Sequence, residues 1–216
     1  MKIKVVEPVL KANRVMAEEI RRYLGSKGVK LINILGSPGA GKTQFIKRTL
    51  QQLENKEIIG VIEGDISTTF DAEELVSLGV EIVQINTKGA CHLDARMIKQ
   101  ALEQMRLDGK KVLFVENVGN LVCPAEFPLG EDLRILVLSL TEGLHKPLKY
   151  PLAFRTSQVL ILNKSDLLPH LDVNPAVIRE EALSINNQMK IFQLSSLTGE
   201  GFSNWMDYFQ NYLSTL

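Results

Sequence analysis

A glycine-rich loop stands between a short apolar run and a segment of helical periodicity. Leu31-Leu35 is followed by Gly36-Ser37-Pro38-Gly39-Ala40-Gly41-Lys42-Thr43, which matches the pattern G-x-x-x-x-G-K-S/T. Glycines let backbone N–H groups turn toward phosphate oxygens, and the start of the next helix adds further donors. Lys42 is expected to neutralise the β- and γ-phosphates, and the Thr43 hydroxyl to ligate Mg²⁺. The loop therefore predicts a nucleoside triphosphate site.

A second motif selects the base. Val159-Leu162 is followed by an N-K-x-D sequence that ends in Asp166. The two carboxylate oxygens of Asp166 can accept from the ring N–H and the exocyclic amine of guanine, donors that adenine lacks. Alone, the motif could be a turn capped by Asp166, but downstream of a phosphate loop it favours GTP. The candidate base-site residues are Asn163, Lys164, Asp166, Ser195 and Ser196.

Acidic residues follow two other apolar runs. Glu63-Gly64-Asp65 follows Ile58-Ile62, and Glu116 follows Val112-Val115. Ligands of parallel α/β sheets bind at the carboxyl ends of the strands, so both segments should lie beside the phosphate loop. Asp65 and Glu116 are therefore candidates to hold Mg²⁺, directly or through water, or to orient the attacking water.

The segment around Gly119 is a candidate sensor of hydrolysis, because its backbone N–H could donate to the γ-phosphate. Asp71 is a further catalytic candidate, although Asp71 and Glu74 also form a D-x-x-E pattern that caps helices. No glutamine stands just beyond Gly119, where many GTPases carry the residue that positions water. Slow hydrolysis is expected unless a partner or a second protomer completes the site.

Cysteine and histidine occur in two loops at the same predicted sheet edge. Cys91 and His92 follow the third predicted strand, and Cys123 lies shortly after Glu116. Thiolate and imidazole suit Zn²⁺ or Ni²⁺, and a symmetric dimer could complete a site for which one protomer offers only these three groups. Free cysteine is also commonly a small buried apolar residue, so spacing alone leaves a metal site and structural cysteines equally open.

Short Val- and Ile-rich runs alternate with helical periodicity along the chain. The predicted strands are Leu31-Leu35, Ile58-Ile62, Ile82-Ile85, Val112-Val115, Ile135-Leu140, Val159-Leu162 and Ile191-Leu194. Helices are predicted at about 9–24, 42–54, 71–78, 94–106, 174–186 and 201–214. This alternation predicts an α/β fold, a mostly parallel sheet of about seven strands with helices on both faces. The aromatic stripe around Trp205 should face the core, with a partner surface as the alternative.

The amino-acid composition and net charge argue against several classes of protein. The 216 residues carry 25 basic and 25 acidic side chains, and this balance argues against a nucleic-acid binder or a polybasic membrane-surface protein. No apolar run has bilayer length, the first residues do not resemble a signal peptide, and two cysteines cannot form a disulfide framework. One domain over residues 1–216, in a reduced cytoplasmic setting, is the expectation.

With these residues in place, the chain resembles the HypB family, the GTPases that assist nickel insertion into nickel–iron hydrogenase. The resemblance covers nearly the whole chain, and urease-maturation GTPases carry a different cysteine block. Its most specific blocks are Gly89-Ala90-Cys91-His92-Leu93-Asp94-Ala95, Glu116-Asn117-Val118-Gly119-Asn120-Leu121-Val122-Cys123-Pro124 and Lys146-Pro147-Leu148-Lys149-Tyr150-Pro151. Shorter matches are Asn13-Arg14, Thr141-Glu142-Gly143 and Gly199-Glu200-Gly201.

The resemblance implies a P-loop GTPase of the SIMIBI type that forms a GTP- and metal-dependent homodimer. It implies nickel or zinc on Cys91, His92 and Cys123 near the switch segments. It also suggests that Lys146 binds nucleotide or switch groups at the dimer contact. The implied partners are hydrogenase maturation proteins and the hydrogenase large subunit. Two departures stand out. Pro128 replaces an expected acid, and Leu144-His145 replaces an acidic pair, which removes negative charge beside Lys146.

Other functions stay open at this point. A GTP-dependent maturation factor could serve another metalloenzyme such as urease. A GTP-switched scaffold with structural cysteines would dimerise without binding a specific metal. A small-molecule kinase would prefer ATP, against which Asp166 argues.

Overall fold

The computed structural model describes residues 9–65 and 75–215 and is built on a seven-stranded sheet. The strand order is β3-β2-β4-β1-β5-β6-β7, and every pairing between these strands is parallel. The strands are β1 (Lys30–Gly36), β2 (Ile59–Asp65), β3 (Glu81–Asn86), β4 (Val112–Glu116), β5 (Leu133–Ser139), β6 (Val159–Asn163) and β7 (Lys190–Gln193). All seven predicted strands are present, with ends shifted by a few residues, and the α/β fold class is confirmed.

Eight α-helices lie in the described part of the chain. They are α1 (Val9–Ser26), α2 (Lys42–Gln51), α3 (Ala95–Leu102), α4 (Cys123–Glu126), α5 (Lys146–Lys149), α6 (Pro151–Thr156), α7 (Pro175–Ile185) and α8 (Phe202–Ser214). Five predicted helices are confirmed, although α2 and α3 end earlier than expected. Half of the sixth, residues 71–74 of 71–78, falls outside the described residues. None of the described helices is both long and apolar enough to cross a bilayer.

The short helices α4, α5 and α6 were not predicted, because each is too brief to show helical periodicity. All three have proline in the first turn: Pro124, Pro147 and Pro151. Proline fits there because the first N–H groups of a helix have no intrahelical acceptor and the ring presets φ. Short turns of 3₁₀ helix occur at Lys56–Ile58, Leu140–Glu142 and Ser165–His170.

The central strand β1 lies between β4 and β5 and is buried along nearly its whole length. Ile32 and Ile34 face an apolar core under α2 and α8, whereas Leu31 and Leu35 face the opposite side. Two clusters cover that opposite side, one under α1 and α3 and the other under α6 and α7. Helices therefore flank both faces, as continuous apolar strands require.

The aromatic stripe of α8 belongs to the core. Trp205 is fully buried, and its ring stacks on that of Phe209 with centroids 5.3 Å apart. The indole Nε1 donates to Thr49 Oγ1 on α2 at 3.0 Å, so the polar end of the buried ring is also satisfied. The core interpretation of this stripe is confirmed.

The substitution Trp205→Ala tests this packing. It should lower the free energy of unfolding by about 3–5 kcal/mol, because it leaves a large cavity in a packed core. Urea unfolding followed by far-ultraviolet circular dichroism measures the change. Leu197→Ala, at a residue that is 72% exposed, is the control and should change stability by less than about 0.5 kcal/mol. Equal losses in both variants would contradict the packing of α8.

Candidate functional site

The phosphate loop runs from Gly36 at the end of β1 to Thr43 in the first turn of α2. Close approaches require two of its glycines. A Cβ atom on Gly36 would lie 2.5 Å from Val137 O, and one on Gly41 would lie 2.5 Å from Asn163 Nδ2. Gly41 also precedes α2 with a φ of 91°, in the left-handed region that favours glycine. The loop thereby places the start of α2 at the cleft, an arrangement suited to phosphate.

The other loop residues form the wall of the cleft and its backing. Pro38, Gly39 and Lys42 line a cavity of about 460 Å³. The Lys42 ammonium lies 3.3 Å from the carbonyl of Ser37, inside the loop. Ala40 is fully buried behind the cleft. Five of the eight predicted loop residues therefore line one cavity, namely Pro38, Gly39, Gly41, Lys42 and Thr43, whereas Gly36, Ser37 and Ala40 do not.

Two carboxylates from adjacent strands meet in this cavity. Glu63 on β2 is paired in register with Glu116 on β4, and both line the cleft beside Lys42. The Thr43 hydroxyl donates to Glu116 Oε1 at 2.9 Å. Hydroxyl and carboxylate oxygens are the hard ligands that Mg²⁺ prefers, so this group of residues fits that ion.

Glu63 was missed by the sequence reasoning, which selected Asp65 from the same segment. The register between β2 and β4 was the missing information, since it decides which residue of β2 stands beside Glu116. Asp65 is the last residue of β2, but its side chain lies outside the described part of the chain, as does all of Asp71. Their catalytic roles stay predictions.

The N-K-x-D segment begins at the end of β6 and fastens the base side of the cleft to the phosphate loop. Asn163 Nδ2 donates to Ala40 O at 2.9 Å, and Asn163 Oδ1 accepts from Ser196 N at 3.0 Å. Lys164 has a left-handed φ of 64°, and its ammonium donates to Gly39 O at 2.8 Å. Asn163 is therefore a structural link between three segments.

Two segments are the candidates to contact a bound base: the residues after Asn163 and the loop after β7. Asp166 Oδ1 and Ser196 Oγ are buried and have no hydrogen-bond partner among the described residues. Ser195 differs, because its hydroxyl accepts from Thr198 N at 3.0 Å and stabilises the turn. A buried, unpaired carboxylate oxygen is costly unless a ligand supplies the donor, which agrees with a guanine site.

Gly119 packs against the phosphate loop on the far side of Glu116. A Cβ atom on Gly119 would lie 2.9 Å from the Cα of Pro38, so only glycine permits this approach. Next to it, Asn120 forms an isolated antiparallel bridge with Gly36. The segment after β4 is thus held directly on the loop expected to bind the β- and γ-phosphates.

Lys146 begins α5, outside the cleft. It is not one of the residues that line the 460 Å³ cavity, and its ammonium lies 3.2 Å from Glu142 Oε2. Glu142 thus supplies an acid where Leu144-His145 replaces the expected pair. His145 itself contacts the carboxylate of Glu181 on α7. The role of Lys146 in binding nucleotide or switch groups at a dimer contact stays a prediction.

The cysteine and histidine residues form one cluster. Cys91 and His92 lie in the loop between β3 and α3, and Cys123 is the first residue of α4. One potential ligand atom from each of the three lies within 4.8 Å of the others. The His92 ring packs on Phe127, with centroids 3.9 Å apart, which orients the imidazole. Two thiols and one imidazole suit Ni²⁺ or Zn²⁺ and leave room for further ligands.

The protonation of this cluster follows from its surroundings. Burial lowers the pKa of His92, although the nearby charges of Asp94 and Glu126 act to raise it. The lowered pKa favours the neutral imidazole, the form that can bind a metal. The pKa of Cys123 is raised, chiefly by its hydrogen bond with Cys91 and then by burial. A bound cation would favour the thiolate, so metal binding at this cluster should release protons.

One side chain joins the cluster to the nucleotide cleft. Asn117, directly after Glu116, accepts at Oδ1 from Leu93 N at 3.2 Å and from Val118 N at 3.0 Å. Leu93 also packs so closely on β2 that a Cβ on Gly64 would lie 2.8 Å from its side chain. The loop that carries His92 therefore rests on the ends of both β2 and β4.

Asn13 on α1 makes a second connection around the cluster. Its Oδ1 accepts from Ala95 N at 2.7 Å, and its Nδ2 donates to Pro128 O at 2.8 Å. The residue is only 7% exposed. It thus ties the start of α3 to the segment that follows α4. Because Asn13 bonds to the backbone carbonyl of Pro128, this contact does not depend on the acidic side chain that was expected at position 128. The sequence signals for Asn13 and Asn117 were their places in the Asn13-Arg14 and Glu116–Pro124 blocks.

Comparison with known proteins agrees with this arrangement. Residues 30–193 match the family model described as CobW/HypB/UreG, nucleotide-binding domain. The hydrogenase maturation factor HypB of Rhizobium leguminosarum bv. viciae is 45% identical over 208 residues, which cover 95% of this chain and 70% of that protein. The chain belongs to the HypB family.

Solved HypB structures share the fold. HypB from Archaeoglobus fulgidus superposes with a TM-score of 0.87 at 35% identity, covering 94% of this chain and 99% of that one. HypB from Helicobacter pylori in complex with nickel gives a TM-score of 0.89 at 31% identity, covering 94% of this chain and 96% of that one. The family places this chain among nucleotide-binding P-loop GTPases that serve hydrogenase maturation.

The substitution Gly119→Ala tests the contact between Gly119 and the phosphate loop. The added Cβ would meet Pro38 at 2.9 Å, so the loop or the segment after β4 must move, and the affinity for a GTP analogue should fall by about 10-fold, or about 1.4 kcal/mol. Isothermal titration calorimetry measures the affinity. Gly25→Ala is the control, because a Cβ there meets nothing within 4 Å. Unchanged affinity in Gly119→Ala would contradict the close packing.

Proposed function

We propose that this HypB-family protein binds GTP·Mg²⁺, hydrolyses it slowly, and uses nucleotide state to control a nickel site that supplies nickel–iron hydrogenase. The observation that carries the proposal is the position of Asn117. This residue directly follows Glu116 of the nucleotide cleft, and its Oδ1 accepts a hydrogen bond from Leu93 N in the cysteine–histidine loop. Each part of the proposal has its own support.

For the nucleotide, the support is the pairing of an intact phosphate loop with a buried acceptor for guanine. Lys42 would neutralise the β- and γ-phosphates, and Gly119 would donate to the γ-phosphate. Asp166 would accept from guanine, and the Lys164 stem would cover the base plane. Magnesium, when bound, supplies charge neutralisation for the phosphates, with Thr43, Glu116 and Asp65 as the proposed ligands or water holders and Glu63 beside them.

For slow hydrolysis, the support is the residue that follows Gly119. Asn120 turns its side chain back on its own backbone, where Oδ1 accepts from Val122 N at 2.8 Å. Its side-chain oxygen is therefore already engaged by the backbone of its own segment. The proposed catalytic group is Lys42 with Glu116, Asp65 and Asp71, and a second protomer would raise the rate by adding charge at the phosphates.

For the metal, the support is the ligand set. Cys91, His92 and Cys123 are soft to borderline donors, and the Helicobacter pylori relative was crystallised in complex with nickel. Zinc fits the same donors. Because three ligands leave a four-coordinate ion incomplete, a homodimer that brings two clusters together would share or complete the site. Lys146 and α5 would lie at that contact.

Coupling arises because the same segment serves both sites. Ordering of residues 116–123 by the γ-phosphate would move Cys123 directly and the His92 loop through Asn117. Coupling free energies between sites are typically about 1–3 kcal/mol, enough to change metal affinity between nucleotide states. The proposed partners are other hydrogenase maturation proteins and the hydrogenase large subunit, met in the cytoplasm. Neither a nucleic acid nor a membrane is a proposed partner.

The substitution Asp166→Ala tests base recognition. GTP affinity should fall by about 100-fold or more, because two hydrogen bonds to a charged acceptor, each contributing about 1.5–3 kcal/mol, are lost. Affinity for ATP should stay unchanged, since adenine offers no matching donors. Calorimetric titration with both nucleotides measures this, and Asp172→Ala, at a nearby exposed acid, is the control. Equal weakening of GTP and ATP would show that Asp166 supports the fold and does not read the base.

Metal binding and its coupling are tested together by anaerobic equilibrium dialysis of the reduced protein against Ni²⁺, with GDP and then with a non-hydrolysable GTP analogue. The affinity should differ between the two states by about 5- to 150-fold. Cys91→Ala and Cys123→Ser should weaken binding by more than about 10-fold, since even outer-shell changes cost that much. His170→Ala, an exposed histidine outside the cluster, is the control.

The outcomes separate the alternatives. Negligible metal binding in both states, with GTP-driven dimerisation in light scattering, would favour a scaffold with structural cysteines. Metal binding that ignores the nucleotide would overturn the coupling, and tighter binding of Zn²⁺ in competition would favour zinc. Capture of urease components in place of hydrogenase components by the tagged protein would reassign the recipient enzyme.

A further inference from the structure

A line of buried polar side chains crosses one face of the sheet between two apolar clusters. Its members are Asn117, Asn33, Glu131 and Arg134, of which Asn33 at the centre of β1 is fully buried. The clusters on either side lie under α1 and α3 and under α6 and α7. None of these residues except Asn117 lines the nucleotide cleft.

The first half of the line starts at the cysteine–histidine loop. Asn117 accepts from Leu93 N, next to His92, and its Nδ2 donates to Asn33 Oδ1 at 3.2 Å. Asn33 Nδ2 in turn donates to Glu131 Oε1 at 3.3 Å. Each amide thus uses both ends, and the donor–acceptor order runs in one direction across β4 and β1.

The second half ends on the helix that carries Cys123. Arg134 Nε donates to Glu131 Oε1 at 2.7 Å, while its Nη1 donates to Ala125 O at 3.1 Å and to Thr156 Oγ1 at 2.8 Å. Ala125 is two residues from Cys123, in α4. Glu131 Oε2 also accepts from Leu129 N at 2.7 Å, which fastens the segment after α4.

The surroundings of the buried Glu131 carboxyl group favour its ionised form. Burial alone would raise the pKa of Glu131, but the Arg134 guanidinium and backbone N–H donors outweigh it and lower that pKa. Arginine suits this position because its planar fork reaches a carboxylate and a carbonyl together. Apolar residues of similar size often replace buried ion pairs without loss of stability, so a role in geometry explains this pair better than a role in stability.

We infer that Asn33, Glu131 and Arg134 are positioning residues that, through Asn117, set the separation between the His92 loop and the Cys123 helix. The line of hydrogen bonds joins the backbone of Leu93, beside His92, to the backbone of Ala125, two residues after Cys123. Asn13 also joins these two segments, through Ala95 and Pro128, so two hydrogen-bonded connections run between them. This inference rests on the metal site of the proposed function and adds residues that touch neither metal nor nucleotide.

The test replaces Asn33 with leucine, which has nearly the same volume and removes both hydrogen bonds at the centre of the line. Reduced, GDP-bound protein is titrated with Co²⁺, whose thiolate charge-transfer band reports how many cysteines bind. Affinity should fall by about 10-fold or more, as for other outer-shell changes at metal sites. The band should weaken per bound ion because Cys123 no longer reaches the metal together with Cys91.

The control is Thr49→Val, which also removes a buried hydrogen bond, the one from Trp205, but on the opposite face of the sheet. It should lower the melting temperature to a similar extent and leave the cobalt spectrum and affinity at wild-type values. Arg134→Lys serves as a second variant should Asn33→Leu fail to fold, since lysine keeps the charge beside Glu131 but cannot span to Ala125 O.

Wild-type affinity and spectrum in both Asn33→Leu and Arg134→Lys would overturn the inference and leave the line with a structural role only. Failure of the wild-type protein itself to bind Co²⁺ or Ni²⁺ would instead overturn the metal site of the proposed function, and the inference with it. A loss in the two variants that is absent in Thr49→Val supports the positioning role.

Discussion

The parallel pairing of β1 with β4 and β5 is the constraint on which the rest of the structure depends. Parallel strands bring their carboxyl ends to one edge, and the register aligns the end of β1 with the segments that follow its neighbours. The phosphate loop leaves from that edge, and Glu116, the N-K-x-D motif and the cysteine–histidine loop leave from the same edge. Asn33 helps to fix this register, since a one-residue slip would exchange the two faces of β1 and separate the Asn33 amide from Asn117 and Glu131.

The segments that leave this edge of the sheet are packed closely against one another. Gly119 lets the segment after β4 lie on Pro38, and Gly64 lets Leu93 lie on β2. No added methyl group fits at either position without displacement. Tightly packed contacts of this kind transmit displacement, because an interior at native density has little free volume in which to absorb it. A displacement of the phosphate loop would therefore reach the segment after β4 directly, through the contact between Pro38 and Gly119.

Two groups of side chains with different ligand chemistry follow one another on the segment from Glu116 to Cys123. Glu116 and Thr43 offer hard oxygen atoms, whereas Cys123 and Cys91 offer sulfur and His92 offers nitrogen. Such donor sets select different cations by softness and geometry. Asn117 lies in the chain between these two groups, and both of its amide atoms are hydrogen-bonded.

The sequence predicted the elements and motifs whose geometry is local. The phosphate loop, the seven strands and the core stripe of Trp205 follow from spacing and from the types of the residues, since glycine torsions, strand burial and helical periodicity act over short distances. The Cys-His block and Cys123 were singled out in the same way. Their meeting within 4.8 Å needed the sheet.

Tertiary structure decided which distant residues become partners. Glu63 lies beside Glu116 only because of the register between β2 and β4. Lys146 forms an ion pair with Glu142, although the acidic pair expected at positions 144 and 145 is missing. Asn33 carries no sequence signal at all, yet it joins Asn117 to Glu131. Sequence patterns report which face of an element is buried, whereas strand order and register, settled by packing of the whole chain, determine which buried polar groups can reach one another.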